Sequence, residues 1–322
     1  MRDAYILDIV ATRGAPPHPD ARLQAAASAL AAREKQVLGG KAELTWVGVA
    51  SSDGPIARSL GLLAGFSATL CAQDMSAGSG LAALAGAARA VTSGFESVAA
   101  AVATGGPAAE PTWPAALRKR FTPVSPAQAQ AWALERAGLE AHAVVESIEA
   151  RRDAWMKAEN IPVPLGQLGA LPLAPDVPGQ GVVLLAGHTE IREHNWATRA
   201  RITSVVQVGL DPALGPASAA KAAEMALHRL HLRADEMDFV QVDARSAAAP
   251  AVVARGLGVS ADRINPAGGA LCSGGAGAAS GLVDLQRLID ALEQADRRFG
   301  LVVGLEPMGG ATAVVIDRQF YM

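Results

Sequence analysis

Two short peptides occur twice in this chain, in the same order. ARSLG at residues 57–61 returns as ARGLG at 254–258, and SGLAAL at 79–84 returns as SGLVDL at 280–285. Each second copy lies roughly 200 residues after the first, a regularity that chance matches seldom achieve and that marks a duplicated unit. Both peptides are expected to open helices. Folding a duplicated unit about a pseudo-twofold brings its glycine-opened helices together near the centre, where glycine and alanine permit close approach.

Within each copy the apolar pattern alternates between strand and helix. YILDIVA (5–11), ELTWVGVA (43–50), 69–74 and SVAAAVATGG (97–106) read as strands, and 20–37, 55–64 and 79–92 as helices. The later part supplies VVLLAG, RITSVVQVGL, a helix at 217–231, MDFVQVDA and the closing GLVVGLEPMGGATAVVID. Short, evenly apolar strands between helices imply sheets covered on both faces, an α/β fold.

The middle is different. Ser125, Pro126 and Gln128 form a helix-start signal in which serine and glutamine side chains satisfy the first free amides. Leu134, Ala137, Ala141, Val145 and Ile148 then keep a spacing of three to four, so a long helix or helical pair should lie on the rest of the fold. A proline- and glycine-rich connection, 161–181, follows. The expected organisation is therefore an N-terminal half at 1–106, a helical insertion at 107–181 and a C-terminal half at 182–322.

Composition excludes several classes. A net charge of −3 and 4% aromatic residues offer neither a basic footprint nor stacking platforms for nucleic acid. Two cysteines in 322 residues cannot form a disulfide framework, and no CxxC pair or HExxH motif suggests a metal. Cys71, on the strand before the helix at 79–92, is expected in the core. The start, MRDAYILDIVATRG, has no signal-peptide pattern, and no apolar run approaches the ~20 residues of a membrane span. These features predict a cytoplasmic protein without membrane, nucleic-acid or metal partners.

Several stretches, in order, resemble the thiolase superfamily over nearly the whole chain. YILDIVATRGAP is similar to its opening strand and turn, and GPIARSLGLLAGFSATLCAQDMSAGSGLAAL to the approach to its nucleophilic cysteine. SPAQAQAWALERAGLEAHAVVESIEA resembles its loop-domain helices, and INPAGGALCSGGAGAASG its glycine-rich histidine loop. The resemblance implies two repeated αβ halves in a five-layered α-β-α-β-α core, here with a shortened loop domain. Coenzyme A or an acyl-CoA is the implied ligand and no other cofactor is required. The implied assembly is a homodimer, or a hetero-oligomer with an active thiolase or a small OB-fold partner.

The resemblance also locates the family's chemistry. In the family a cysteine at a helix start takes the acyl group, a histidine activates it, a second cysteine moves a proton, and an asparagine-held water with the histidine holds the thioester oxyanion. Carried over by motif, the nucleophile falls on Ala77, the histidine on Gly275, the second cysteine on Leu305 or, one residue on, Glu306, and the asparagine on Asp243. Alanine and glycine side chains neither attack nor move protons, so the family's usual reaction cannot run through these positions. The expectation is a thiolase-fold protein that serves as a non-catalytic or regulatory subunit or an acyl-CoA binder. The alternative is an acyltransferase or lyase using displaced groups: Cys272, three residues before Gly275, or the carboxylates Asp243 and Glu306. GAGAAS (275–280) only loosely matches a dinucleotide-binding glycine loop, because the acidic residue that should follow a second strand is missing.

Overall fold

The computed structural model describes residues 3–66, 70–76, 79–107, 115–121, 123–159, 174 and 176–320. The first half runs β1 (Ala4–Arg13), α1 (Pro19–Val37), β2 (Trp46–Ser51), α2 (Ala57–Leu63), β3 (Cys71–Ser76), α3 (Gly80–Thr92) and β4 (Val98–Gly105). Three helices follow, α4 (Ala115–Arg118), α5 (Pro126–Ala137) and α6 (Ala141–Glu159). Then come β5 (Gly179–Gly187), α7 (His188–His194), β6 (Ala200–Gly209), α8 (Gly215–Leu230), β7 (Phe239–Val242), α9 (Ala248–Leu257), α10 (Ala270–Ser273), α11 (Ser280–Gln294), β8 (Phe299–Glu306) and β9 (Gly310–Asp317).

The nine strands pair in the order β3-β2-β4-β5-β1-β6-β9-β8-β7. A short antiparallel contact, Ala4–Ile6 against Ala200–Ile202, joins two sheets of matching plan. In one, β2 is parallel to β4, and β4 antiparallel to β5, which pairs with β1. In the other, β7 is parallel to β8, and β8 antiparallel to β9, which pairs with β6. The edge strand β3 has only a remnant counterpart, a single bridge between Val240 and Ile264.

Three apolar cores separate five layers. One lies between α1, α2 and the first sheet, through Leu30, Leu60, Val47 and Leu184. Another lies between α8, α9 and the second sheet, through Ala223, Val253, Val303 and Val315. The largest encloses α3 and α11 between the sheets, through Leu84, Leu288, Val183 and Val302.

At the centre the repeated SGL peptides meet. A methyl group on Gly80 would stand 2.7 Å from Leu282 Cγ, and one on Gly281 would stand 2.7 Å from Leu81 Cγ. Each glycine receives the leucine of the other helix, so the duplicated peptide is self-complementary about the pseudo-twofold. The close approach explains why glycine stands at both positions.

The helix-start signal in the insertion forms a reciprocal cap. Ser125 Oγ accepts from the Gln128 amide, and Gln128 Oε1 accepts from the Ser125 amide. Gly138, in the left-handed conformation, divides the predicted long helix into the pair α5 and α6. Leu134 and Ile148 are buried as their spacing implied, with Ala133 and Val144 completing the face in a fourth cluster.

Two expectations are corrected. ARSLG opens α2, but ARGLG closes α9, because Gly258 turns left-handed (φ 65°) and stops the helix. Cys71, expected in the core, is exposed, because β3 is the outermost strand. Ala77, the carried-over nucleophile position, and 161–173 in the proline- and glycine-rich connection lie outside the described residues. Among the described residues no helix is long and apolar enough to cross a membrane.

Candidate functional site

The remaining carried-over positions lie around the start of α3, where a family member would gather its reacting groups. Ser79 caps this helix, its Oγ accepting from the Leu81 amide at 3.2 Å. Gly304 on β8 lies against it: a methyl there would be 3.3 Å from Ser79 Oγ. Strand alternation puts Glu306 on the same face as Gly304, whereas the Leu305 side chain packs with the outer core between β8 and α8. Of the two positions carried over for the second cysteine, 306 is therefore the one directed toward the α3 start. Glu306 Oε1 accepts from Thr312 Oγ1 at 2.8 Å.

Asp243, just past the end of β7, is buried and clasped by Arg245. Arg245 Nη2 donates to Oδ2 at 2.6 Å, Nε donates to both carboxylate oxygens at 3.0 and 3.1 Å, and the Arg245 amide donates to Oδ1 at 3.0 Å. Arg245 Nη2 also reaches the Leu305 carbonyl at 3.3 Å, and Nη1 stands 3.9 Å from Asp176 Oδ2. Burial works to lower the guanidinium pKa, but the charges of Asp243, Asp176 and Asp284 and the hydrogen bonds to Asp243 hold it above its ordinary value. The hydrogen-bonding capacity of Asp243 is thus committed to a permanent cation, which is unlike the neutral amide of the family.

Position 275 carries the most information. A Cβ on Gly275 would stand 1.9 Å from Asp176 Oδ1, 2.9 Å from Arg245 Cδ and 3.0 Å from Arg245 Cγ. Asp176 arrives from the insertion on a segment tied down by backbone bonds: the Ala174 amide donates to the Arg245 carbonyl at 2.9 Å, and the Val177 amide to the Gly275 carbonyl at 3.0 Å. At its far end the Gly14 and Ala15 amides both donate to Pro178 O. The space a histidine side chain would leave from is occupied by an aspartate and an arginine.

Behind this cluster lies a second polar group. Asp284 on α11 is 3% exposed, and its Oδ1 accepts from Gln241 Nε2 at 3.1 Å and Arg287 Nη1 at 3.3 Å. Burial pushes its pKa up to about 7; the charge of Asp243 adds to the rise, and Arg287 and Gln241 oppose it. Arg287 Nη2 also donates to Ser273 Oγ at 2.8 Å. Asn265, with a left-handed backbone (φ 49°), fixes the end of β7 by accepting from the Val242 amide at 2.6 Å and donating to its carbonyl at 3.0 Å.

Cys272 is not brought to this cluster. It lies on α10 at 2% exposure, among Leu134, Val144, Ile148, Ala247 and Leu271 of the insertion and C-terminal helices. Asp243 and Glu306, paired in the sequence reading, are engaged separately by Arg245 and Thr312.

Sequence reasoning missed Asp176, Gln241, Asp284 and Arg287. Asp284 alone carried a local signal: a carboxylate three residues after Gly281 and four before Leu288 sits on the inward stripe of an amphipathic helix. Such a position is charged only when it has buried partners.

Comparison with known proteins agrees with this architecture. Residues 196–318 match the family model described as thiolase, C-terminal domain. The structure superposes on human mitochondrial 3-ketoacyl-CoA thiolase in complex with CoA with a TM-score of 0.79 at 18% identity, covering 99% of this chain and 98% of the other. Residues 196–318 thus carry a thiolase C-terminal domain, and the fold of the whole chain is that of the thiolases. Its curated relatives include a beta-ketoadipyl-CoA thiolase of Acinetobacter baylyi, 29% identical over 142 residues. A steroid 3-ketoacyl-CoA thiolase of Mycobacterium tuberculosis is 31% identical, also over 142 residues. These matches span 44% of this chain and only about a third of each relative's length, 35% and 34%.

Proposed function

We propose that this thiolase-fold protein is a non-catalytic or regulatory subunit, or an acyl-CoA binder, rather than an acyltransferase of the usual mechanism. One observation carries this reading: Asp176 and Arg245 fill the volume that any side chain at position 275 would need. A base at that position would have to displace the Asp176 and Arg245 side chains, and Asp176 sits on a segment held at Ala174, Val177 and Pro178. A coenzyme A derivative is the ligand class suggested by the human thiolase crystallised with CoA. Edge strand β3 supports an assembly through the core. It exposes Cys71, Gln73 and Asp74 and lies beside α2, whose Leu62 and Leu63 are exposed. An unpaired edge of this kind suits a second copy or a homologous thiolase chain. A small OB-fold protein is the other partner to test.

A second reading is acyl transfer through Cys272, which would move the reaction from the start of α3 to the buried thiol on α10.

The test is to incubate the purified chain with acetyl-CoA, acetoacetyl-CoA and a longer 3-ketoacyl-CoA, following free coenzyme A and intact protein mass together. The expected result is neither an acyl adduct nor release above the protein-free control. Turnover with an adduct that disappears in Cys272→Ala would overturn the non-catalytic reading and establish the second. Turnover without an adduct would also overturn it and direct attention to the carboxylates.

A further inference from the structure

Helix α7 lies apart from the cluster around Gly275. Its Ile191 and the following Trp196 are buried in the outer core of the first half, not between the sheets where α3 begins. The helix is closed by Asn195 in the left-handed conformation (φ 52°), and the Trp196 amide donates to the Ile191 carbonyl at 3.1 Å. That turn folds the indole back on the last turn of the helix, so the His194 and Trp196 rings stand 4.8 Å apart.

Three ligand-type side chains gather here. Glu193 and His194 follow Glu190 at intervals of three and four residues, the spacing that brings helical side chains together. One ligand atom from each lies within 4.8 Å of the other two, and His194 Nε2 stands 3.4 Å from Glu190 Oε2. Glu190 and His194 are partly buried and Glu193 is exposed, so the set opens to solvent. Among the described residues neither carboxylate is within ion-pair distance of an arginine or lysine. The two negative charges repel each other with one imidazole beside them, and a divalent cation relieves that repulsion.

The neighbouring indole supplies an independent observation. Trp196 is 8% exposed, and its Nε1 is buried with no hydrogen-bond partner among the described residues. A buried donor without an acceptor is costly, and water on an ion held beside His194 would supply one. One imidazole nitrogen and two carboxylate oxygens make a three-ligand set of the kind zinc accepts, with water in the fourth position. Calcium and magnesium favour all-oxygen shells, which this set does not offer.

We propose that Glu190, Glu193 and His194 bind one zinc ion, with water completing its coordination. No HExxH or paired-cysteine motif announces the site, and the sequence reading expected no metal. Bound there, the ion ties successive turns of α7 together against Trp196, whether or not the protein transfers acyl groups.

The experiment uses the full chain, free of any histidine tag and stripped with EDTA. Zinc chloride is titrated in by calorimetry, and cobalt(II) is titrated in parallel while tryptophan fluorescence is followed. Saturable binding of one zinc per chain is expected, with a partial, saturable quench by cobalt because His194 touches Trp196. Glu193→Gln changes an exposed side chain and should weaken zinc binding about tenfold or more at unchanged melting temperature. His194→Ala should abolish binding, and Glu193→Gln keeps the test decisive if that variant fails to fold. Trp196→Phe should retain zinc and lose the cobalt quench. No saturable zinc binding, or a quench that survives Trp196→Phe, would overturn the proposal. So would unchanged affinity in Glu193→Gln and His194→Ala, which would place the ion elsewhere, such as beside His228 and His231 on α8.

Discussion

The SGL crossing and the region above it began as equivalent parts of one duplicated unit, yet they have fared differently. At the crossing the two halves still match: Gly80 receives Leu282 and Gly281 receives Leu81 at the same distance. Two residues further on they part. Ala83 on α3 is fully buried, while its counterpart on α11 is Asp284, a carboxyl that is also buried and is tied to Gln241 and Arg287. The crossing answers only to shape, so any drift there costs packing at once. The polar cluster can be rebuilt from whichever charged residues complement one another, and in this chain Asp176, Asp243 and Arg245 complement one another where the family places reacting groups.

The largest effect should come from breaking the crossing. Leu282→Ala removes a fully buried side chain from the central core and leaves a cavity against Gly80. A loss of about 2–5 kcal/mol in denaturant unfolding is expected. Leu81→Ala should cost a similar amount, because the contact is reciprocal; a much smaller loss for either would mean that the pseudo-symmetric packing is looser than described.

The next effect sharpens the contrast between Ala83 and Asp284. The folded carboxyl has its pKa raised to about 7, whereas an unfolded aspartate titrates near ~3.9. Below the unfolded value both states hold the proton and the contribution to stability is fully present. As pH rises toward 7 the unfolded state releases its proton first, so stability is lost; above 7 no further change follows. Relative to Asp284→Asn, the wild type should therefore lose up to about 1.4 kcal/mol per pH unit between roughly pH 4 and 7. Unfolding free energies of the two proteins, measured across that range, should diverge and then run parallel. Parallel curves throughout would show that Asp284 is ionised in the fold.

Much of the architecture was legible because it is written in local periodicity. Alternating apolar strands, the Ser125–Gln128 cap and the repeated SGL peptide each announce a physical requirement within a few residues. The exposure of Cys71 was not legible, since it depends on β3 being outermost, a property of strand order. Nor was the filled pocket. Asp284 meets a partner 43 residues away in Gln241, and Asp176 joins Arg245 and Gly275 only after the insertion folds back across the C-terminal half. The glycine at 275 could be read as a missing histidine, but what stands in the vacated space could not.

That occupied space is the centre of the account, and Gly275→Ala tests it most directly. A single methyl group would stand 1.9 Å from Asp176 Oδ1 and 2.9 Å from Arg245 Cδ, so both side chains would have to give way and their arrangement around Asp243 would be disturbed. Overpacking of this kind should lower the unfolding free energy by about 1–3 kcal/mol. A Gly275→Ala protein as stable as the wild type would contradict the account, because it would show that the site has room for a side chain after all.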